Sequence, residues 1–212
     1  PGDYTAHIRK TGFKDDSIDK ALDESLKRLK TDYIDIVQLH SPGLDDVAFG
    51  DGLEGLKRAQ EQGKVRFISL SADGDAARKA VEIGEYDTLQ LTYNVLGQEP
   101  AEIIVAAREN DMGIIVKVPI ANALFEKPRS EAGNTVLWDR AQTILSPECV
   151  GDLPRVEAAL RWLLCDENVH TAIVGTTNVN HFEANVAAVE RGRLSDEMLA
   201  DMKACFEQAV AG

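Results

Sequence analysis

The sequence predicts an α/β protein built around a parallel sheet. Short runs of β-type residues alternate along the chain with longer amphipathic runs of helical period, which is the pattern of repeated βαβ units. Several of the β-type runs are apolar at consecutive positions, as expected for strands buried on both faces. With 212 residues, of which 44% are hydrophobic, the chain can form one domain with its own core. We therefore expect a single domain over residues 1–212.

Six segments have the length and composition of strands. They are Tyr4–Arg9, Ile34–Leu39, Val65–Leu70, Thr88–Thr92, Ile114–Val118 and Thr171–Val174. The carboxyl ends of parallel strands meet at one edge of a sheet, and active sites of parallel barrels lie there. The residues at these strand ends are Lys10, His40, Ser71, Tyr93, Lys117 and Gly175.

Seven segments between and after the strands have helical periodicity. They are Ser17–Leu29, Leu53–Gln62, Asp75–Ile83, Ala101–Asn110, Val156–Leu164, Val179–Glu190 and an extra C-terminal helix over Ser195–Ala209. Asp16 or Ser17 is the expected N-cap of the first, and Gly63 and Gly84 are the expected C′ residues of the next two. Ala121–Leu153 has little periodicity, so we expect a long functional loop there.

Composition excludes some partners. The net charge of −13 would repel phosphate backbones and anionic membrane surfaces, so neither nucleic acid nor membrane is expected. No apolar run reaches the length of a membrane span, and no signal peptide is expected. Cys149, Cys165 and Cys205 show no CxxC or metal-ligand spacing, which predicts buried free thiols in a reducing compartment. The expected location is the cytoplasm, and no metal is expected.

Two features carry candidate chemistry. Lys10 and His40 follow successive strands, where an ammonium can lower the pKa of a hydroxyl acid and an imidazole can polarise a carbonyl oxygen. The competing interpretation is a solvated lysine and a structural histidine. The turn Gly175–Asn178 leads into a helix whose N-terminus suits a phosphate, with an ordinary N-cap turn as the alternative.

The chain resembles the aldo-keto reductases in several segments that occur in the order typical of that family. The signature helix and strand of the family are similar to Leu22–His40, and the strand end that delivers its catalytic lysine is similar to Ile8–Gly12. Further resemblance lies in Val65–Ser71, Leu89–Asn94, Leu160–Leu164, Thr171–Thr177 and Asn185.

This resemblance implies a (β/α)₈ barrel, of which the chain would supply strands 3 to 8. A barrel of this kind has eight strands and about 250 residues, so we expect the first two β/α units to be missing before Pro1. The segments Tyr4–Arg9 and Thr171–Val174 would then be open edges, which a homo-oligomer could cover.

The resemblance also implies reduction of aldehyde and ketone carbonyls with NADPH, with NADH as the alternative cofactor. By position, Lys10 is the catalytic lysine and His40 the catalytic histidine. The aspartate and the tyrosine acid would precede Lys10, and Tyr4, Tyr33 and Tyr93 do not match the acid's place. Residues 1–212 alone are therefore expected to lack reductase activity.

Cofactor contacts follow from the same resemblance. Ser71 and Gln90 match positions that bind the nicotinamide carboxamide, although Ala72 replaces the usual asparagine. Lys117 stands where many members have a stacking aromatic. The remaining matched positions are Gly175, Thr176, Thr177, Asn178, His181 and Asn185. His181 replaces an arginine that is common in the family, and Ala184 replaces a common glutamate.

Three alternatives stay open. A barrel of this fold can bind nucleotide and regulate without turnover. A phosphate-binding isomerase or lyase could use Lys10 as an amine nucleophile, which borohydride would trap. A two-carboxylate hydrolase is disfavoured because no acidic pair sits at two strand ends. The sequence does not identify the physiological carbonyl substrate.

Overall fold

A computed structural model of the chain describes residues 5–9 and 15–211. Within these ranges six strands form one sheet, in the order β1-β2-β3-β4-β5-β6. Neighbouring strands from β1 to β4 run parallel. The strands are β1 (Thr5–Arg9), β2 (Ile34–His40), β3 (Val65–Ser71), β4 (Thr88–Thr92), β5 (Gly113–Lys117) and β6 (Thr171–Ile173). All six predicted strands are confirmed, with shifts of one residue at some ends.

The described helices alternate with the strands, as predicted. They are α1 (Asp15–Leu29), α2 (Leu44–Phe49), α3 (Asp51–Glu61), α4 (Gly74–Ile83), α5 (Ala101–Glu109), α6 (Thr135–Ile144), α7 (Pro147–Val150), α8 (Arg155–Leu163), α9 (Val179–Glu190) and α10 (Asp196–Ala211). Two 3₁₀ helices cover Ala121–Glu126 and Arg129–Glu131. No helix among the described residues is long and apolar enough to cross a membrane.

Two predictions about where helices lie are wrong. Asp16 and Ser17 lie inside α1, which begins at Asp15, so neither is its N-cap. The stretch Ala121–Leu153 is not a long loop, because it contains α6, α7 and both 3₁₀ helices. α6 has only a weak apolar stripe, in which Ala141 and Ile144 are buried, and its N-cap Asn134 accepts a hydrogen bond from the Leu137 N–H at 3.0 Å.

The chain divides into two compact units, of which unit 1 contains residues up to Leu91 together with Glu102–Ile115. Its core is aliphatic and includes Ile18, Ile34 and Leu56, all fully buried. Helices α1 and α3 pack so closely that a Cβ on Gly55 would lie 3.0 Å from the Ile18 side chain. Gly63 follows the C-cap of α3 as predicted, with a φ of +74°, whereas Gly84, with a φ of +68°, is itself the C-cap of α4 and not its C′ residue.

Unit 2 contains Thr92–Ala101 and the residues from Val116 onward. Its core gathers side chains from α6, α7, α8 and α10, and Cys149 is a buried member of it. Cys149 forms a disulfide with Cys205, whose Cα lies 6.6 Å away, so the prediction of three free thiols is wrong. A separation of 56 residues gives no local spacing signal, because only the packing of α10 beside α7 brings the two together. Cys165 is free.

A buried carboxylate links α8 to the end of α9 in unit 2. The Glu157 side chain is 6% exposed and accepts hydrogen bonds from Arg161, at 2.9 Å, and from Arg191. Arg161 also donates to the backbone carbonyls of Gly192 and Arg193. Because the Arg161 side chain is only 12% exposed, its charge depends on Glu157 for compensation.

Removing the Glu157 charge should therefore destabilise the protein. We expect Glu157→Gln to lower the free energy of unfolding by about 3 kcal/mol, since it leaves a nearly buried guanidinium without its counter-charge. Urea unfolding followed by circular dichroism measures this. The control Glu54→Gln removes an exposed partner of Lys57 and should leave the midpoint nearly unchanged. Equal midpoints for the two variants would contradict the role given to Glu157.

Candidate active site

Three of the predicted site residues form one row across unit 1. His40 is the last residue of β2, Ser71 is the last residue of β3, and Gln90 lies in β4. In the sheet register His40 is paired with Ser71, and Ser71 with Gln90. Side chains of paired residues in a parallel sheet point to the same face. The sheet therefore places an imidazole, a hydroxyl and an amide side by side; we call these three residues the upper row.

The upper row contains polar atoms that the protein itself does not satisfy. Ser71 is fully buried and Gln90 is 5% exposed. Neither the Ser71 Oγ nor the Gln90 Oε1 has a hydrogen-bond partner among the described residues. An unpaired buried polar atom costs about 1–3 kcal/mol. Such a cost is expected where a ligand supplies the missing partners.

A second polar row lies two residues earlier on the same three strands. Its members are Gln38, Ser69 and Thr88, which are paired with one another in the register. The Gln38 amide donates to Ser69 Oγ at 3.1 Å, and the Thr88 hydroxyl donates to Ser69 Oγ at 2.6 Å. Ser69 in turn donates to the Thr88 carbonyl at 3.2 Å. This lower row is a hydrogen-bonded support beneath the upper row.

The ring of His40 is contacted by two residues that the sequence did not single out. His40 is half-buried, and its Nδ1 lies 3.1 Å from the hydroxyl of Ser41. The His7 ring of β1 lies 5.5 Å from the His40 ring, centroid to centroid, at a tilt of 53°. Lys10, the other predicted catalytic residue, lies outside the described residues.

In unit 2, Lys117 ends β5 and is half-buried. The next residue, Val118, has a φ of +57°, a conformation that a β-branched residue rarely adopts. The Val118 carbonyl accepts a hydrogen bond from the Asn94 amide at 3.2 Å. Asn94 also accepts hydrogen bonds from the backbone N–H groups of Leu96 and Gly97, so its side chain has a structural role.

The predicted phosphate-binding turn of unit 2 is exposed from Gly175 to Asn178. Thr176 Oγ1 accepts a hydrogen bond from the Asn178 N–H at 3.1 Å. Asn178 is the N-cap of α9, and its side chain accepts from the Asn180 N–H at 2.9 Å. A Cβ on Gly175 would meet nothing within 4 Å, so this glycine leaves open space. His181 is exposed and Asn185 is half-buried.

The two described tyrosines considered as the acid do not suit that role. Tyr33 precedes β2 and therefore lies at the opposite end of the strand from His40. Tyr93 is 5% exposed and packs against Trp162 at 5.5 Å. Burial, with a smaller contribution from nearby Asp166, raises the pKa of Tyr93 well above its usual range. Tyr4 lies outside the described residues, within which no cluster of metal-ligating side chains occurs.

The sequence did not reveal the lower row or the two neighbours of His40. The signal for the lower row was present, because Ser69 and Ser71 alternate with apolar residues along β3. Ser41 carries no such signal, since a serine after a strand is common in turns. Its importance depends on a φ of +56°, which only the structure reveals.

Similarity to known proteins extends over nearly the whole chain. The sequence profile described as "Aldo/keto reductase family" matches residues 4–207. The uncharacterized oxidoreductase YqkF of Bacillus subtilis is 23% identical over 91% of this chain and 67% of its own length. The NADP(+) aldo-keto reductase yakc of Schizosaccharomyces pombe is 26% identical over 93% of this chain and 64% of its own length. The chain thus spans about two thirds of these relatives.

A solved structure supports the fold. The aldo-keto reductase AKR11C1 of Bacillus halodurans, in its holo form, superposes with a TM-score of 0.82 at 24% identity, over 94% of this chain and 70% of that one. The α/β fold of the aldo-keto reductases, with its parallel six-stranded sheet, is therefore confirmed, and it is consistent with a TIM barrel. The expectation that two β/α units are missing gains no support from this match.

Ser69 and Ser71, two buried serines on the same face of β3, should respond oppositely to loss of the hydroxyl. Ser69→Ala should cost about 1–3 kcal/mol of unfolding free energy, because the Gln38 amide and the Thr88 hydroxyl lose their partner. Ser71→Ala should be neutral or slightly stabilising in the absence of ligand, because it removes an unpaired hydroxyl. Urea midpoints measure both effects. An equal loss of stability in Ser71→Ala would mean that its hydroxyl is already bonded.

Proposed function

This chain belongs to the aldo/keto reductase family, and we propose that it reduces the carbonyl group of a small aldehyde or ketone with NADPH as hydride donor. The proposal rests on the upper row of His40, Ser71 and Gln90. His40 offers a ring nitrogen at the end of β2, beside two buried polar atoms that lack partners within the described protein. The lower row is mostly hydrogen-bonded through Ser69, although its Gln38 Oε1 also lacks a partner among the described residues. The upper row differs because two unpaired oxygens lie there beside an imidazole at the strand ends.

His40 is proposed to bind the carbonyl oxygen of the substrate. A hydrogen bond from an imidazole N–H withdraws electron density from the carbonyl and stabilises the negative charge that develops on its oxygen. Lys10 is proposed to lower the pKa of the proton donor, as its match to the family's lysine implies. The aspartate and tyrosine that complete this set in the family, and the inactivity of residues 1–212 alone, stay predictions.

Each unit carries its own proposed cofactor contacts, which follow from the resemblance to the family. In unit 1, the Ser71 hydroxyl and the Gln90 amide oxygen fit a carboxamide, which supplies both a donor and an acceptor. In unit 2, Gly175, Thr176, Thr177 and Asn178 precede α9, whose N-terminus favours an anion. The other proposed contacts in unit 2 are Lys117, His181 and Asn185.

NADPH is preferred over NADH in this proposal, although the relatives include both specificities by name. The yakc reductase carries NADP(+) in its name, and an Escherichia coli relative is described as an NADH-specific methylglyoxal reductase. The relatives' names also span sugars and small aldehydes, including D-threo-aldose 1-dehydrogenase of a Pseudomonas species. A cytoplasmic location and a possible homo-oligomer stay predictions.

Loss of His40 should remove catalysis and spare cofactor binding. We expect His40→Ala in the full-length protein to lower the rate of aldehyde reduction by a factor of about 10², the usual effect of losing a polarising or acid–base group. NADPH oxidation at 340 nm, with a panel of small aldehydes, measures the rate. The control His170→Ala changes a different histidine and should keep the wild-type rate. A near-normal rate in His40→Ala would assign His40 a structural role only.

The cofactor should bind saturably, and Asn178→Ala should weaken it. Loss of this N-cap loosens the start of α9, where the phosphate is proposed to bind. Quenching of Trp138 and Trp162 fluorescence during titration with NADPH and with NADH measures both affinities. Tighter NADH binding would overturn the NADPH preference, and absence of binding would overturn the cofactor assignment. Tight binding with no turnover on any aldehyde would favour the regulatory alternative.

A further inference from the structure

Ser41 adopts a backbone conformation that serine avoids, directly after β2 and next to His40. Its φ is +56°, in the left-handed region that favours glycine. Positive φ is also seen at Lys30 and Asp111, but these residues directly follow helical turns, where left-handed residues are ordinary terminators. Ser41 follows a strand and has no helix to terminate. Non-glycine residues in this region are concentrated at functional sites.

Two hydrogen bonds accompany this conformation. The Ser41 N–H donates to the Ser71 carbonyl at 2.8 Å, which joins the end of β2 to the end of β3. The Ser41 hydroxyl lies 3.1 Å from His40 Nδ1. Glycine would relieve the backbone strain and keep the first bond, but it would lose the second. The hydroxyl is therefore the property that distinguishes serine from glycine at this position.

We propose that Ser41 is a positioning residue that fixes the tautomer and the orientation of His40, an inference that rests on the proposed function. A neutral imidazole carries one N–H. When the Ser41 hydroxyl donates to Nδ1, the proton must be on Nε2, and the Nε2–H is the donor that a carbonyl oxygen needs. In the reverse arrangement Nδ1–H donates to Ser41, and Nε2 presents a lone pair that would repel the carbonyl oxygen.

The surroundings explain how an exposed hydroxyl can act in this way. A freely rotating serine at the surface would exchange its bond with water. Here the bond to Ser71 and the left-handed backbone hold Ser41 against the ring. On β1, the tilted His7 ring lies 5.5 Å from the His40 ring, centroid to centroid. His40 therefore has one neighbour in the turn after β2, Ser41, and another in the adjacent strand β1, His7.

Imidazole nitrogen spectra of the ¹⁵N-labelled full-length protein test this directly. The chain has four histidines, so the His40 signals can be assigned by their loss in His40→Gln. At a pH of about 8, where imidazoles are mostly neutral, we expect wild-type His40 to have its proton on Nε2. Ser41→Ala should raise the population of the Nδ1–H form about 2- to 10-fold, the range expected for one neutral hydrogen bond.

Matched glycine variants separate the hydroxyl from the backbone strain. Ser41→Gly and Lys30→Gly each relieve a φ of +56°, so both should raise the melting temperature. Only Ser41→Gly should change the His40 tautomer and lower kcat by about 2- to 10-fold with little change in KM. A wild-type Nδ1–H form, or an unchanged tautomer in Ser41→Ala, would overturn the inference even in an active reductase. The expected spectra in a protein that reduces no carbonyl would instead refute the proposed function.

Discussion

Every assignment in unit 1 depends on the parallel register of β2, β3 and β4. That register pairs His40 with Ser71 and Ser71 with Gln90, so three side chains distant in sequence lie at one level of the sheet. A slip of one residue would turn a strand's entire set of side chains to the other face. The lower row fixes the register from within, because Ser69 bonds to both Gln38 and Thr88 only when the strands are aligned in this way. The hydrogen bonds that stabilise the sheet therefore also position the proposed site.

The two rows show how stability and function are separated within one polar face. A polar interior is costly unless each group finds a partner. The lower row meets this requirement at Ser69, which has partners on both neighbouring strands, but not at the Gln38 Oε1, which is unpaired among the described residues. The upper row does not, since the Ser71 and Gln90 oxygens remain unpaired and buried. Unpaired oxygens are thus concentrated in the upper row, at the strand ends beside His40, where a ligand would supply the missing hydrogen bonds.

Much of this arrangement could be predicted from the sequence, but only where the signal is local. Consecutive apolar runs locate β2 and β3, so the sequence identifies His40 and Ser71 as residues at strand ends, while their pairing is seen only in the structure. The disulfide between Cys149 and Cys205 could not, because the partners are 56 residues apart and meet only through packing. α6 was missed because few of its residues are buried, which leaves the helical period weak. The role proposed for Ser41 could not be predicted, because the residue type alone does not indicate a left-handed backbone conformation.

Two residues that directly follow strands have a strained backbone and lie next to proposed site residues. Ser41 follows β2, and Val118 follows β5; both have positive φ, and each comes directly after a predicted site residue, His40 or Lys117. Such residues cost on the order of 1–3 kcal/mol each. Both precede a proline, which favours extended conformations for the residue before it, and Val118 is the more costly of the two because it is also β-branched. Each is held by a hydrogen bond within its own unit, from the Ser41 N–H to the Ser71 carbonyl and from the Asn94 amide to the Val118 carbonyl.

Glycine would remove the backbone strain at either position. At Ser41 the side chain that glycine would lack reaches the imidazole on which the proposed chemistry depends.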